Sequence, residues 1–216
     1  MTEQAISTPD QQAGQLGTLY VVATPIGNLD DFSPRAVNCL KQVSLIAAED
    51  TRHSRKLLDA WGISTRLTAL HEHNEQSAGD RLLEKLQAGE DIALISDAGT
   101  PLISDPGQKL LPKLIEHGIT ISPVPGACAI TAALSGAGLP TQPYWFEGFL
   151  PAKSGDRQKR LEALANLEAT LVFYEAPHRI QECLAALAEA LSPERRACVD
   201  RELTKKFEEV QRNTLG

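Results

Sequence analysis

A short apolar run passes directly into a loop of aspartate, glycine and proline in the segment Asp91-Ile92-Ala93-Leu94-Ile95-Ser96-Asp97-Ala98-Gly99-Thr100-Pro101. The run over 91–96 is continuously apolar at its centre, which is typical of a strand buried on both faces of a parallel sheet. In open α/β sheets, ligands bind in the loops beyond the carboxyl ends of such strands. The segment therefore predicts both an α/β fold and a ligand-binding loop.

The alternation of strands and helices extends outward from this segment in both directions. Further strands are predicted over 19–23, 43–48, 65–70 and 119–124, and helices over a stretch opened by Ser33-Pro34, then 51–61, 76–88 and 107–116. Later in the chain the pattern predicts helices over 127–137, 157–166 and 178–191, strands over 144–149, 170–174 and 197–201, and no strand after them. Short buried strands separated by helices indicate βαβ units in a parallel sheet.

The segment Pro123-Val124-Pro125-Gly126 is predicted to separate two domains, because two prolines and a glycine interrupt regular structure. We expect a disordered lead-in over 1–15, an N-terminal α/β domain over 16–123 and a C-terminal α/β domain over 124–216. The second domain is expected to be incomplete at its C-terminal end.

The composition of the chain argues against a membrane-spanning, secreted or disulfide-rich protein. With 216 residues, 42% of them hydrophobic, the chain can bury a core, and it has neither an apolar run long enough to span a bilayer nor a secretory signal. Its four cysteines lack the spacing of a metal site or a disulfide framework, which favours a reducing compartment and hence the cytoplasm. The net charge of −7 argues against indiscriminate nucleic-acid binding, although 153–160 and 195–206 are locally basic.

Three loops with unusual composition leave predicted strand ends, at 24–29, 96–107 and 123–129. A single Gly-Pro loop would be read as an ordinary turn, but three of them at strand ends indicate a small-molecule site. The dinucleotide fingerprint, the P-loop and the G-x-S-x-G nucleophile elbow are all absent from the sequence. The loops predict a site without naming its ligand.

The polar segment His71-Glu72-His73-Asn74-Glu75 is the one place where a metal site could be suspected. Its spacing differs from the H-E-x-x-H of a zinc helix, so a polar loop is the better interpretation and no metal site is predicted. Asn74 is a candidate cap for the following helix.

Five ordered blocks together resemble a known family. They are Tyr20–Leu29 (YVVATPIGNL), Ala47–His53 (AAEDTRH), Leu70–Glu75 (LHEHNE), Ser96–Pro101 (SDAGTP) and Arg201–Lys205 (RELTK). These blocks resemble the signature of the small-subunit ribosomal RNA methyltransferases of the tetrapyrrole methylase superfamily. The wider superfamily has G-x-G-P-G-D and G-D-P where this chain has its first and fourth blocks, and that departure speaks against a porphyrin substrate.

The resemblance implies two α/β domains of the tetrapyrrole methylase type, with S-adenosylmethionine in the cleft between them. It implies methyl transfer to the ribose 2′-hydroxyl of a cytidine in the decoding region of 16S rRNA, within the small ribosomal subunit, by a homodimer. The implied cofactor contacts are Pro25, Ile26, Asp97, Ala98, Gly99, Thr100, Cys128, Ala129, Phe173, Tyr174 and Glu175.

A ribose hydroxyl is a poor nucleophile, so a base or a cation near the reacting oxygen should help. The candidates are Asp50 or Glu202 as base and Arg52 and Lys205 as orienting cations. RNA contacts are expected from 52–56, 153–160 and 201–206. Two alternatives stay open: a methylase of another small-molecule or protein substrate on the same fold, and a non-catalytic ligand-binding domain.

Overall fold

The computed structural model describes residues 15–105 and 107–216, and it forms two compact units. One unit contains the chain up to Val22 together with Pro34–Asp97 and Pro101–Pro125; the other contains Ala23–Ser33, Ala98–Thr100 and Gly126–Gly216. The predicted lead-in over 1–15 lies, except for its last residue, outside the described residues.

The first unit is built on a parallel sheet of β1 (Thr18–Val22), β2 (Leu45–Ala48), β3 (Leu67–Ala69), β4 (Ile92–Ile95) and β5 (Thr120–Val124). The strand order is β3-β2-β4-β1-β5, and every pairing is parallel. Every residue of β2 and β4 is buried, as the uninterrupted apolar runs predict. The α/β fold class is therefore confirmed.

Four helices accompany this sheet: α1 (Pro34–Gln42), α2 (Thr51–Ala60), α3 (Glu75–Gln87) and α4 (Leu110–Glu116). Helix α1 begins at Pro34, whose fixed φ and missing N–H suit a first helical position. Helix α4 begins three residues later than the predicted 107, because Pro112 is accommodated only in a first helical turn. Helices α3 and α4 pack leucines such as Leu86 and Leu114 into the core, where both side chains are fully buried.

Pro123 lies inside β5, although the sequence predicts that this Pro-rich segment interrupts regular structure. The strand tolerates it because β5 is at the edge of the sheet, where the missing N–H removes no ladder bond. The Pro123 carbonyl accepts a hydrogen bond of 2.7 Å from Arg35 Nη2 of helix α1.

The second unit contains α5 (Ala129–Ala137), β6 (Tyr144–Phe149), α6 (Ser154–Leu164), β7 (Thr170–Tyr174), α7 (Ile180–Leu191), β8 (Arg196–Arg201) and β9 (Glu209–Thr214). Strands β6 and β7 pair in parallel, whereas β8 and β9 form an antiparallel hairpin. The expectation that no strand follows residue 201 is wrong, because β9 finds its partner in β8 and leaves mainly polar, exposed residues outward.

A small core holds the second unit together. Leu161 of α6 and Cys183 and Leu187 of α7 pack with Leu150, and Phe173 of β7 packs against them. The Cys183 thiol behaves as a small apolar group, as predicted, and burial raises its pKa to about 11. Among the helices that the structure describes, none is long and apolar enough to cross a bilayer.

Candidate active site

The first unit concentrates four carboxylates at the carboxyl ends of β2 and β4. Glu49 and Asp50 follow β2 directly, while Asp97 and Asp105 lie in the segment that follows β4. Asp97 joins the two strand ends, because its Oδ1 accepts a 3.2 Å hydrogen bond from the Asp50 backbone N–H. The carboxyl ends of β2 and β4 therefore carry a cluster of acidic side chains.

Two of these carboxyls hold their protons more tightly than usual. Burial, followed by the charges of Asp97, Asp105 and Asp50, raises the pKa of Glu49. Burial also raises the pKa of Asp105, against a hydrogen bond with Ser96 that lowers it. Perturbed carboxyls at the carboxyl end of a parallel sheet are typical of ligand and catalytic sites.

Asp50, predicted as a possible base, caps helix α2. Its Oδ1 accepts the backbone N–H groups of Arg52 at 2.7 Å and His53 at 3.2 Å. These two bonds, first His53 and then Arg52, lower the pKa of Asp50, which makes it a weak proton acceptor. The Arg52 side chain is exposed in the first turn of the same helix.

The second unit brings together three loop segments that the sequence predicts as ligand-binding. Thr24 and Gly99 pair as an isolated antiparallel bridge, with N–H···O distances of 2.9 and 3.1 Å. Thr100 Oγ1 donates a 3.1 Å hydrogen bond to the Ala127 carbonyl, and a Cβ on Gly126 would lie 3.0 Å from Ala23 Cβ. The segments around residues 24, 99 and 126 are thus in direct contact.

Gly99 is required at its place in this arrangement. Its φ of 80° is left-handed, and a Cβ there would lie 3.2 Å from Ile26 Cγ2. Of the implied cofactor contacts in these loops, Pro25 is buried, Ile26 and Thr100 are half-buried, and Ala98 is exposed. The loops bring these four residues and Gly99 together in one unit; Asp97, the residue before them, belongs to the first unit.

A cavity of about 450 Å³ in the second unit gathers four more of the implied contacts. Ala129 at the start of α5 lines it together with Phe173, Tyr174 and Glu175 at the end of β7. The Tyr174 ring is held by Phe146 and Phe149, with centroids 5.0 and 5.7 Å away. The volume suits a small organic ligand.

Two implied contacts have structural partners of their own. Glu175 Oε1 accepts the Ala176 N–H at 2.8 Å, and Oε2 lies 3.3 Å from Arg179 Nη2. Cys128 is the residue before helix α5, and its carbonyl accepts hydrogen bonds from Thr131 Oγ1 and Ala132 N. The Cys128 thiol makes no cap bond, so a small side chain is all that its position requires.

The turn between β8 and β9 carries the other predicted catalytic pair. Lys205 Nζ lies 3.1 Å from Glu202 Oε1, and both side chains are partly exposed. Glu202 and Thr204 have left-handed φ angles of 53° and 68°, and the Thr204 N–H donates to Glu208 Oε2 at 2.6 Å. Non-glycine residues in this region of backbone space store strain that often marks functional loops.

The expected RNA contact over 153–160 is wrong for one of its four cations. The Arg157 side chain is 4% exposed and is bonded through Nη2 to Glu182 of α7, so it holds two helices together. Arg160 forms a two-bond pair with Glu147, which lowers the pKa of that carboxyl. Only Lys153 and Lys159 of this segment are exposed basic residues.

The side chain of Asn74 holds the polar segment at residues 71–75 together through hydrogen bonds to nearby backbone groups. Asn74 lies at the N-cap position of helix α3, as predicted, but its side chain makes no cap hydrogen bond. Its Oδ1 instead accepts the His71 N–H at 2.9 Å, and its Nδ2 donates to the Ala69 carbonyl at 3.1 Å. Within residues 15–105 and 107–216, no group of three or more His, Cys, Asp and Glu side chains is arranged to hold a metal ion.

Sequence reasoning missed Glu49 as a residue of this acidic cluster. Glu49 stands directly after a buried strand, a position that was a usable signal. Gly27 lies in the loop over 24–29 that the sequence predicts as ligand-binding, but no signal in the sequence indicates its contact with Lys205.

The family model for Tetrapyrrole (Corrin/Porphyrin) Methylases matches residues 18–216. The chain therefore belongs to the tetrapyrrole methylase family, as the five sequence blocks predict. Proteins named Ribosomal RNA small subunit methyltransferase I are its relatives within that family. The one from Pseudomonas aeruginosa is 58% identical over 195 residues, which is 90% of this chain and 69% of the relative. The one from Escherichia coli O157:H7 is 50% identical over 93% of this chain and 70% of the relative.

Solved structures with low sequence identity share the fold. The methyltransferase CobJ superposes with a TM-score of 0.66 at 22% identity, over 92% of this chain and 87% of that one. A diphthine synthase gives 0.67 at 13% identity, over 92% and 82%. Uroporphyrin-III C-methyl transferase from Thermus thermophilus, complexed with S-adenyl homocysteine, gives 0.64 at 18% identity, over 92% and 89%.

Proposed function

We propose that this chain transfers a methyl group from S-adenosylmethionine to the ribose 2′-hydroxyl of a cytidine in the decoding region of 16S rRNA. The observation that carries the proposal is the 58% identity over 195 residues to a protein named Ribosomal RNA small subunit methyltransferase I. The contact of the loops around Thr24, Gly99 and Ala127 supports it, because these three loops carry implied cofactor contacts and meet in one unit.

The methyl donor is S-adenosylmethionine, and the implied contacts suit its chemistry. The donor carries a sulfonium and an ammonium, both cations, and the Asp97 carboxylate offers negative charge beside the carboxyl ends of the strands. Apolar and aromatic side chains such as Ile26 and Tyr174 suit an adenine ring. Thr100, Gly99 and Ala129 lie in the same unit as Ile26 and Tyr174 and are proposed to line the same pocket.

Methyl transfer is an in-line displacement, in which the ribose oxygen forms a bond to the methyl carbon as the carbon–sulfur bond breaks. S-adenosylhomocysteine leaves, and the hydroxyl proton passes to a base. Because Asp50 is engaged as a helix cap and its pKa is lowered, Glu202 is the better base of the two predicted carboxylates. Lys205, in the same turn as Glu202, stabilises negative charge on the reacting oxygen, and Arg52 of the first unit is proposed separately as a cation that orients the nucleotide.

The proposed RNA contacts are exposed cations of both units. They are Arg52, Lys56, Lys153, Lys159 and Lys206. Phosphate contacts of this kind position RNA without reading its sequence, so the choice of nucleotide must come from elsewhere. Lys206 lies 5.5 Å from the ring centroid of Phe207, whose side chain is 67% exposed and could stack on an unpaired base.

Labelled S-adenosylmethionine incubated with small ribosomal subunits that lack the modification tests the proposal. We expect label in 16S rRNA, at a single cytidine whose ribose becomes resistant to alkaline cleavage. Label on a base would contradict the 2′-hydroxyl, and label on protein would favour a protein-substrate methylase. Absence of label despite calorimetric binding of S-adenosylmethionine would favour a ligand-binding domain.

We propose that the active protein is a homodimer, as the family resemblance implies, and that it acts in the cytoplasm, where its proposed substrate is assembled. Light scattering of the purified chain is expected to give twice the chain mass of 23.4 kDa. A mass equal to one chain would contradict the dimer and leave the reaction itself untouched.

A further inference from the structure

The side chain of Lys205 lies flat against the backbone of Gly27 within the second unit. A Cβ added to Gly27 would lie 2.5 Å from Lys205 Cγ, 2.6 Å from Cε and 3.0 Å from Cδ. Carbon atoms cannot approach so closely, so three methylenes of the lysine occupy the space that any side chain at residue 27 would need. The Gly27 φ of 155° is also one that other residues rarely adopt.

The far end of the lysine is held from its own turn. Nζ lies 3.1 Å from Glu202 Oε1, and the Lys205 N–H donates to the Glu202 carbonyl at 2.9 Å. The Lys205 side chain is therefore restrained at its ammonium by the Glu202 carboxylate and along its methylenes by the Gly27 backbone.

Gly27 directly follows the loop residues Pro25 and Ile26, which are proposed to contact the methyl donor. We propose that Gly27 is a positioning residue: it provides the surface on which the Lys205 stem lies and so places the Lys205 ammonium beside the methyl-transfer site. The inference rests on the proposed function, in which Lys205 orients the nucleotide. A side chain at residue 27 would displace the stem by about the width of a methyl group.

A double-mutant cycle separates this contact from backbone strain. The proteins compared are the unsubstituted chain, Gly27→Ala, Lys205→Ala and the double variant, with thermal midpoint and methylation of small subunits as the readouts. The strain of alanine at residue 27 is present in both lysine backgrounds and cancels in the cycle. Gly62→Ala is the matched control, because Gly62 also has a positive φ, of 62°, and an added Cβ there meets nothing within 4 Å.

Gly27→Ala is expected to lower kcat about a hundredfold, the effect of misplacing a group by ~1 Å, with little change in the KM for S-adenosylmethionine. In the Lys205→Ala background the same substitution is expected to lower the thermal midpoint and kcat much less. Equal effects in both backgrounds would overturn the proposal, and so would an unchanged kcat in Gly27→Ala.

Lys205→Met tests the role of the Lys205 ammonium if Gly27→Ala does not fold. Methionine retains three stem atoms and loses the charge, so we expect a thermal midpoint close to that of the unsubstituted chain and a kcat as low as that of Lys205→Ala. A normal kcat in Lys205→Met would overturn the role of the ammonium. If the unsubstituted chain methylates no RNA, the proposed function fails, whereas the thermal cycle still decides whether Gly27 supports Lys205.

Discussion

At the scale of single residues, the Asp97 carboxylate has two roles, as a hydrogen-bond acceptor and as a charge. Its Oδ1 accepts the Asp50 N–H, and its charge contributes to the raised pKa of Glu49. Asparagine at this position keeps the acceptor oxygen and removes the charge, so the two roles can be separated.

Asp97→Asn is expected to weaken S-adenosylmethionine binding about tenfold, because a hydrogen bond to a charged partner contributes roughly 1.5–3 kcal/mol and only the charge is lost. Isothermal titration calorimetry measures the Kd directly. Asp59→Asn, on an exposed face of α2 in the same unit, is the control and should bind normally. Equal affinity of the two variants would remove Asp97 from the proposed pocket.

Glu49 makes the stability of the protein depend on pH. Its folded-state pKa is raised above the ordinary value of 4.5, so the neutral form is favoured in the folded protein. Its stabilising contribution is present below pH 4.5 and is lost as the pH rises through the folded-state pKa. Glu49→Gln should therefore have a higher thermal midpoint than the unsubstituted chain at pH 7 and a similar midpoint at pH 4. A difference that is independent of pH would contradict this account.

At the scale of elements, Asp50, one of the two predicted bases, has a structural role as the cap of helix α2. Asp50→Ala is expected to lower the free energy of unfolding by about 1 kcal/mol, the usual contribution of a helix cap. Asp50→Asn keeps the cap oxygen and should retain both stability and most of the methylation activity. Denaturant unfolding and a methylation assay check the pair, and an inactive but stable Asp50→Asn would restore Asp50 as the base.

Two basic residues of helix α6 lie in different environments: Arg157 is buried against α7, and Lys159 is exposed. Arg157→Ala should cost about 2 kcal/mol of unfolding free energy, because it removes a charged hydrogen bond and the packing of a buried side chain. Lys159→Ala, on the exposed face of α6, should leave stability within about 0.5 kcal/mol and weaken RNA binding instead. Equal RNA affinity of Lys159→Ala and the unsubstituted chain would exclude that lysine as a contact.

At the scale of the whole molecule, an acidic chain with a net charge of −7 must bind RNA through local groups of cations. If four or five lysines and arginines contact phosphates, the logarithm of the binding constant should fall with the logarithm of salt at a slope of about −3 to −4. Filter binding or fluorescence anisotropy at 50–200 mM salt, concentrations over which affinity should fall by roughly a hundredfold, gives that slope. A flat response would contradict the proposed RNA surface.

Much of the fold is predictable because its signals are local. The buried runs of β2 and β4, the Ser33-Pro34 start of α1 and the glycines that end α2 and α3 each act within a few residues of chain, where periodicity and capping decide the conformation. The family blocks are local in the same sense, so membership of the tetrapyrrole methylases can also be predicted from the sequence.

The tertiary structure alone decided which residues meet across long stretches of chain. Pro123 is tolerated in β5 because β5 lies at the sheet edge, Arg157 is buried because α7 supplies Glu182, and β9 exists because β8 pairs with it. The same holds for the loop segment around Ser96–Pro101. The sequence by itself determined that a buried strand ends there in a loop rich in glycine and polar residues; only the fold brought Thr24 to Gly99, Ala127 to Thr100 and Lys205 to Gly27. Burial and pairing are long-range properties, and no local pattern of residues encodes their partners.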